Sequence, residues 1–219
     1  MDRRIRALIA TCLAAALAAC SSVIPDQAIT NAFGVDGTDV TVTAVGASSI
    51  APLASGRLAG SVGPVSFELD GIDGIPDFAR PRSISDVITI ETTVFVSAPG
   101  EVAFATDYTI TGVDLTLSVR DGADTVVTES WSNDDLELTF SGSAAFDGAT
   151  TSGEYLAQVD VPLAEVRLSG AKAIALFELV KAGGRYTVQG EVAIDVVPAF
   201  PAGGELTFTL KSLGGTLAF

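Results

Sequence analysis

Apolar and polar residues alternate over most of the chain beyond residue 38, and this alternation is the main guide to the fold. A period of two is produced by strands that have one face on a core and one face in water. The pattern is typical of antiparallel sheets, because parallel strands buried under helices read as unbroken apolar runs. The clearest runs are 87–96, 102–110, 113–119 and 186–196. They predict a mainly β fold over 38–219, either a single antiparallel β-sandwich or a half-open barrel.

Two turn-like segments predict how strands connect. Residues 97–100 (SAPG) separate the run at 88–96 from the run at 102–110, which predicts a hairpin. The dipeptide at 121–122 (DG) predicts a second turn, directly after the strand at 113–119.

One segment, 171–181 (AKAIALFELVK), lacks alternation. It is rich in helix formers and is followed by Gly183 and Gly184, which favour a helix end. Ser169 is a candidate N-cap residue. We predict either one short helix or a buried strand here. In both cases the segment contributes to the core, because its apolar residues are spread around the helix.

The amino-terminal residues have the layout of a secretory signal. A basic head is followed by the apolar run 7–19, and the basic residues are Arg3, Arg4 and Arg6. As a helix this run would reach only about 20 Å, short of the ~30 Å hydrocarbon core of a membrane. It is therefore a poor permanent membrane span.

The apolar run ends in four residues of a specific type, namely Leu17, Ala18, Ala19 and Cys20. This sequence resembles the lipobox of bacterial lipoproteins. The resemblance implies that 1–19 is removed as a signal peptide and that Cys20 is lipidated with fatty acyl chains such as palmitate. The chain would then be extracytoplasmic and held on the membrane by lipid, with 20–37 as lipidated cysteine and tether. In a host with two membranes, Ser21 is compatible with the outer membrane. The alternative is an ordinary signal peptide cut near Ala19.

The composition removes several classes of chemistry. The chain has 219 residues, with 27 acidic, 12 basic and no histidine residues, and a net charge of −15. Without histidine there is no Ser-His-Asp triad and no imidazole acid or base near neutral pH. The acidic excess argues against nucleic acid, whose phosphates must be neutralised by Lys and Arg. We expect no cofactor and no nucleic-acid partner.

Removal of 1–19 would make the chain more acidic and would change its cysteine content. Asp2 and three arginines would be lost, leaving 9 basic and 26 acidic residues and a net charge of about −17. Cys12 would leave as well, and Cys20 would carry lipid, so the mature chain would contain neither a free thiol nor a disulfide. Its stability must then come from its core.

Three patterns are weak candidates for chemistry. Ser169 and Lys172 have the S-x-x-K spacing of serine acyl-enzymes, but the partner motifs are missing, and a helix cap beside a solvated lysine is the favoured explanation. Three carboxylates in a glycine-rich segment, Asp70, Asp73 and Asp77, are candidate Ca²⁺ ligands, although their spacing does not fit an EF-hand loop. A glycosidase-like carboxylate pair is a further possibility among so many acids.

The segment 70–86 is the longest loop-like interval between strands. It contains apolar and basic residues together: Ile72, Ile75, Phe78, Arg80 and Arg82. Long loops on rigid sandwiches often carry recognition, so a recognition loop is one prediction for this segment. The favoured alternative is that the apolar residues close one end of the core while the arginines pair with local Asp.

These observations favour a binding or structural lipoprotein of the cell envelope that is not an enzyme. Its expected partners are the membrane, through the acyl chains on Cys20, and a protein or other envelope component. A second hypothesis is a carrier of a hydrophobic or lipid-like ligand, whose cavity would be lined by Ile174, Phe177 and Val180. An enzyme that uses a carboxylate pair is the third.

Overall fold

A computed structural model describes residues 24–45, 55–69, 79–158 and 161–219. Within these residues there are eleven strands and one helix, and the named strands pair only in antiparallel fashion. The strands are β1 (Gln27–Ile29), β2 (Thr38–Ala44), β3 (Gly56–Leu69), β4 (Ser83–Pro99), β5 (Asp107–Asp121), β6 (Asp124–Asn133), β7 (Leu138–Phe146), β8 (Thr150–Ala157), β9 (Ala164–Ser169), β10 (Gly184–Val197) and β11 (Glu205–Ala218), and the helix is α1 (Gly170–Ala182). The prediction of a mainly β, antiparallel fold with one short helix is confirmed.

Eight of the strands close into a ring. Their order is β2–β3–β10–β5–β7–β8–β4–β11, and β11 pairs again with β2. Closure pairs each strand segment on both sides, which removes open sheet edges. We call this part the ring half, and it comprises 38–45, 55–62, 93–112, 134–158 and 190–210.

In the other described residues, which we call the sandwich half, the ring opens into two arms. One arm has the order β3–β10–β5–β6, and the other has the order β9–β4–β11–β1. Helix α1 packs against β4, β6 and β9 and so bridges both arms. The indole Nε1–H of Trp131 in β6 also donates to the carbonyl of Arg167 in β9, at 3.3 Å.

The molecule therefore has two different ends. The ring pole contains the connections 99–107, 146–150 and 197–205. The sandwich pole contains the turn 121–124, the junction between β9 and α1, and the carboxyl-terminal Phe219.

Glycines allow strands of the ring to approach one another more closely than a side chain would permit. At Gly153 an added Cβ would lie 2.1 Å from the carbonyl oxygen of Ser143, and at Gly190 it would lie 2.0 Å from that of Thr116. No side chain fits so close to the backbone of a neighbouring strand. Glycine kinks and bulges are the usual means by which a sheet curves enough to close.

A bulge at Thr111 explains an irregularity in the apolar pattern of β5. Val196 of β10 pairs with Ile110 and Asp195 pairs with Gly112, so Thr111 is an extra residue on β5. Ile110 and Val113 both face the core for this reason. The inward faces predicted from the runs at 113–119 and 186–196 are confirmed, since their apolar side chains are buried.

The predicted hairpin between 88–96 and 102–110 is wrong. β4 pairs with β8, β9 and β11, and not with β5. Residues 101–106 are not a strand; they cross the ring pole, with Phe104 packed edge-on against Phe200 at 5.7 Å. Alternation in this segment reflects half-buried side chains that cap the core rather than strand pairing. The turn at 121–122 does join a hairpin, because Asp121 of β5 pairs with Asp124 of β6.

The segment at 171–181 is helical, so the prediction of a helix is confirmed and the buried strand is wrong. Helix α1 buries Ala173, Leu176 and Phe177. It ends at Gly183, which has a positive φ of 67° and donates its N–H to the carbonyl of Leu179 at 3.1 Å. Among the described residues, no helix is long and apolar enough to cross a membrane.

Candidate functional site

Several residues singled out in the sequence lie outside the described part of the chain. These are Leu17, Ala18, Ala19 and Cys20 of the lipobox, the candidate Ca²⁺ ligands Asp70, Asp73 and Asp77, and the apolar loop residues Ile72, Ile75 and Phe78. Among the described residues, no group of three or more His, Cys, Asp or Glu side chains is arranged to hold a metal ion.

The two arginines of the predicted recognition loop lie at the sandwich pole. The Arg80 guanidinium forms an ion pair with Glu178 of α1 at 3.2 Å and donates to the carbonyl of Ala79 at 2.8 Å. Arg82 is exposed, and its backbone N–H donates to the carbonyl of Ala218 at 2.7 Å. The start of β4 is thereby held between helix α1 and the end of β11.

Ser169 and Lys172 lie at the start of α1, where Lys172 connects the helix to β6. Ser169 occupies the N-cap position of α1, but its side chain makes no capping hydrogen bond. The Lys172 ammonium forms an ion pair with Glu129 of β6. This arrangement links α1 to one arm of the sandwich and gives no sign of a serine held for nucleophilic attack.

A pair of carboxylates meets on the outer face of the sheet at Arg57. The Arg57 guanidinium bridges Asp114 and Asp195, and Ser132 donates a further hydrogen bond to Asp114 at 2.8 Å. The hydrogen bond from Arg57 is the main reason that the pKa of Asp114 lies below its ordinary value, and the bond from Ser132 adds to it. A catalytic acid needs a raised pKa. Asp114 is therefore suited to pairing with Arg57 rather than to donating a proton.

Asp86 is a fully buried carboxylate that the sequence reasoning missed. Its Oδ2 accepts the backbone N–H of Ala32 at 2.9 Å, and its Oδ1 accepts the hydroxyl of Ser212 at 2.8 Å. The Ser212 hydroxyl oxygen itself accepts two backbone N–H groups, from Asn31 at 3.1 Å and from Gly214 at 3.2 Å. The single hydroxyl hydrogen is thus committed to Asp86.

This network fastens the segment 30–37 onto β4 and β11. Burial raises the pKa of the Asp86 carboxyl above its ordinary value, while the hydrogen bonds from Ser212 and Ala32 act in the opposite direction. The sequence did contain a signal, because Asp86 lies in phase with buried Ile84 and Ile88 on an apolar strand face. An acid at such a position needs partners.

The amino-terminal segment enters the fold earlier than the tether predicted at 20–37. β1 pairs with the end of β11, with Gln27 opposite Leu217. Phe33 and Val35 are buried in the core. The Asp26 carboxylate accepts the backbone N–H of Phe219 at 3.2 Å. The chain from Gln27 onward is therefore part of the domain, and it joins at the sandwich pole.

Aromatic side chains fill the interior of the ring. Tyr108 lies 4.5 Å from Phe200 and 5.3 Å from Phe140, measured between ring centroids. The Tyr155 hydroxyl donates to the carbonyl of Ala105 at 2.6 Å, and burial raises the pKa of Tyr155 to about 12. Eight-stranded rings are just wide enough to be filled by side chains or to hold one small ligand. Here the described residues favour the first arrangement.

The residues proposed to line a carrier cavity are only partly available for that role. Phe177 is fully buried and packs edge-on against Phe219 at 5.8 Å. Ile174 and Val180 are half-buried. Two surface depressions lined by described residues lie elsewhere, one beside Leu213 and the other beside Gly190.

No protein-family model matches this sequence, and no curated protein matches it either.

Proposed function

We propose that this chain is a lipid-anchored protein of the cell envelope that acts by binding or by structural contact and not by catalysis. The observation that carries the proposal is the lipobox-like sequence Leu17, Ala18, Ala19 and Cys20, and the position of β1 at the sandwich pole gives the orientation that such an anchor would impose. Cys20 precedes Gln27 by seven residues, so an extended chain could span about 25 Å between them. An acyl chain on Cys20 would hold the sandwich pole close to the membrane surface and leave the ring pole facing away.

The distribution of charge supports this orientation. The ring half contains eleven acidic residues and one basic residue, Arg57. The described residues of the sandwich half contain eleven acidic and eight basic residues. An anionic membrane surface repels the more acidic end. The lipid anchor and the charges therefore favour the same arrangement, with the ring pole outward.

The buried polar groups support a role without catalysis. Asp86 holds the segment 30–37 through Ala32, and Tyr155 holds the segment 101–106 through Ala105. Tyr108 accepts the backbone N–H of Ala105 at 2.9 Å. Each of these groups is committed to holding a connection in place, whereas catalytic groups face a cleft that substrate can enter.

Fatty-acid labelling tests the anchor. In the native host, Cys20→Ala should abolish incorporation of an alkyne-labelled fatty acid and leave the chain unprocessed or mislocalised. Cys12→Ala is the matched control, because it removes a cysteine from the same apolar run and should leave labelling unchanged. Persistent labelling of the Cys20→Ala chain would refute the anchor.

Energy transfer to a membrane dye tests the orientation. Ala123 lies at the sandwich pole and Ala149 at the ring pole, and both are exposed. Each would be changed to cysteine, labelled with a donor and reconstituted in vesicles carrying an acceptor lipid. Transfer should be stronger from Ala123→Cys than from Ala149→Cys. Equal transfer, or the reverse order, would contradict an upright molecule.

The carrier hypothesis has less support, because packed aromatic side chains fill the ring interior and Phe177 packs against Phe219. Organic extraction of the purified protein tests it directly. Stoichiometric lipid in the extract beyond the acyl chains on Cys20 would favour the carrier, and its absence would favour binding through the outer surface.

A further inference from the structure

Three exposed apolar side chains lie on the outer face of neighbouring strands β11, β4 and β8. Phe95 is 53 % exposed, Leu156 is 59 % exposed and Leu213 is 55 % exposed. Phe95 pairs with Glu154, and Thr93 pairs with Leu156, so Phe95 and Leu156 are diagonal neighbours. Diagonal neighbours lie about 7–8 Å apart, within reach of one another's large side chains. We call this surface the apolar wall, defined by Phe95, Leu156 and Leu213.

A groove beside Leu213 reaches Thr93, the residue of β4 that pairs with Leu156. It has a volume of about 490 Å³ and extends from Leu213 to Thr93, with Ile90 in its lining. The cause is a bulge, because Val94 pairs with Phe208 and Ile90 pairs with Leu210. Three residues of β4 therefore stand opposite one residue of β11. This is also why Thr92, which follows the buried Ile88 and Ile90 in a period of two, is exposed.

The wall has an acidic border. Glu91 lines the groove, Glu154 stands opposite Phe95, and Glu205 pairs with Ser97 at the ring end of the wall. Lys211 also lines the groove, but it is the only basic residue within β4, β8 and β11, so the acidic residues outnumber it at the border. A partner that fits must bury apolar side chains on the wall and present positive charge at its rim.

Backbone pairing is already complete at the centre of the wall. β4 pairs with β11 on one side and with β8 on the other around Phe95. A partner cannot extend the sheet by adding a strand here, as it could at an open edge. Recognition at this surface must therefore use side chains.

We propose that the apolar wall is the docking surface for a segment of a partner protein that combines apolar side chains with Lys or Arg. This inference rests on the proposed binding role and names the surface and the chemistry that carry it. A second copy of the chain is disfavoured, because its three glutamates would face three glutamates across the interface. An anionic lipid surface is disfavoured for the same reason.

Binding of a defined peptide tests the proposal. The probe is a fluorescein-labelled peptide of alternating leucine and lysine, compared with its leucine–glutamate counterpart. The full chain is purified in phosphatidylcholine nanodiscs, and empty nanodiscs give the blank. The leucine–lysine peptide should bind saturably and the leucine–glutamate peptide should not. Binding of both peptides alike, or of neither, would overturn the proposal.

Two variants locate the binding on the wall. Phe95→Ser combined with Leu156→Ser removes apolar surface without changing charge and should weaken binding by more than about tenfold. Phe146→Ser is the matched control, because Phe146 is also exposed but lies at the ring pole. Equal weakening by the control would show only non-specific attraction to an acidic protein. Thermal melting verifies that all the variants fold.

A second pair of variants tests the acidic border without touching apolar packing. Glu154→Gln should weaken binding and reduce its salt dependence, whereas Glu137→Gln, away from the wall, should change neither. Sedimentation showing a dimer that Phe95→Ser dissolves would identify a second copy as the occupant and overturn the proposal. Binding to anionic vesicles that Phe95→Ser abolishes would identify lipid instead. The mass of the Cys20 adduct, measured on the same preparation, reports the anchor independently.

Discussion

The ring half and the sandwich half bury their interiors by different means. In the ring half, closure pairs the strands on both sides, and aromatic side chains such as Tyr108 and Phe200 fill the centre. In the sandwich half the sheet divides, and the gap between the arms is closed by helix α1 and the segment 30–37. The closed half needs tight packing and close approach of neighbouring strands. The open half needs individual fasteners, among them the buried Asp86.

This difference separates two kinds of sensitivity. A ring that is paired all round cannot easily shift to refill a lost volume, because moving one strand strains its neighbours. A helix that bridges two arms can move into the cavity that a truncated side chain leaves. The same loss of side-chain volume should therefore cost more in the ring half than in the sandwich half.

The largest effect is expected from a charge placed inside the ring. Val192 is buried, and Val192→Asp would bury a carboxylate without partners, so the free energy of unfolding should fall by about 4 kcal/mol or more. Glu191→Ala, at the exposed neighbour, should change it by less than about 0.5 kcal/mol. Urea unfolding followed by circular dichroism measures both. Similar losses of unfolding free energy in the two variants would show that Val192 is not on a buried face of β10 and Glu191 on an exposed one.

Truncation of matched aromatic residues compares the two halves directly. Phe200 in the ring half and Phe177 in α1 are both buried. Phe200→Ala should cost about 4 kcal/mol and Phe177→Ala about 3 kcal/mol, because the helix can settle into the space. The order of the two losses in urea unfolding is the result that matters. A larger loss for Phe177→Ala would reverse the comparison.

Removal of the Asp86 carboxylate should release the segment 30–37. Asp86→Ala leaves the Ala32 N–H and the Ser212 hydroxyl without their acceptor, which should cost about 2 kcal/mol. Hydrogen exchange should become faster at Ala32 and at neighbouring amides of the segment while ring-half amides keep their protection. Ser85→Ala, at the adjacent half-buried position, is the control and should leave exchange unchanged. Uniform acceleration over both halves would contradict a local fastener.

The titration of Asp86 should make the free energy of unfolding depend on pH. Burial raises its pKa in the folded state, so the folded state binds the proton more tightly than the unfolded chain does. This contribution to stability is fully present below the unfolded pKa of about 3.9 and is lost as pH rises through the folded pKa. Asp86→Asn does not titrate at this position. The free energy of unfolding of the native protein minus that of Asp86→Asn should therefore fall as pH rises from below about 3.9 through the raised folded pKa, and a rising difference would contradict the assignment.

The smallest effect is expected at the ion pair between α1 and β6. Lys172 and Glu129 are partly exposed, so Lys172→Ala should lower the free energy of unfolding by about 0.5 kcal/mol. High salt should reduce the difference between Lys172→Ala and the native protein. A loss comparable to that of Phe177→Ala would mean that charge, rather than packing, holds the helix on the sandwich half.

The alternation of residues predicted the faces of single strands well, because burial on one side of a sheet imposes the period directly. Phe95 and Leu156 are informative in this respect. Each is out of phase with its buried neighbours, so their exposure could have been anticipated. The position of α1 was also predictable, since 171–181 has no alternation and ends at glycines.

Closure of the ring was not predictable in the same way. It depends on pairings between strands far apart in sequence, such as β4 with β11, and alternation does not specify which strand lies beside which. The error at 97–110 has this origin, because a segment that caps a core can alternate without being paired. Asp86 was overlooked because its partners, Ala32 and Ser212, come from distant parts of the chain.

The pairing of β1 with the end of β11 has a mechanical consequence for a chain pulled from its amino terminus. Gln27, Ala28 and Ile29 lie side by side with Leu217, Thr216 and Gly215, and a pull can be directed along the axis of β1. Tension applied there acts parallel to the strands, so the pairs are sheared together instead of being peeled apart one by one. Behind them, the bond from Ala32 to Asp86 takes up load next. A domain pulled in this way resists unfolding most strongly when the pull follows the axis of β1.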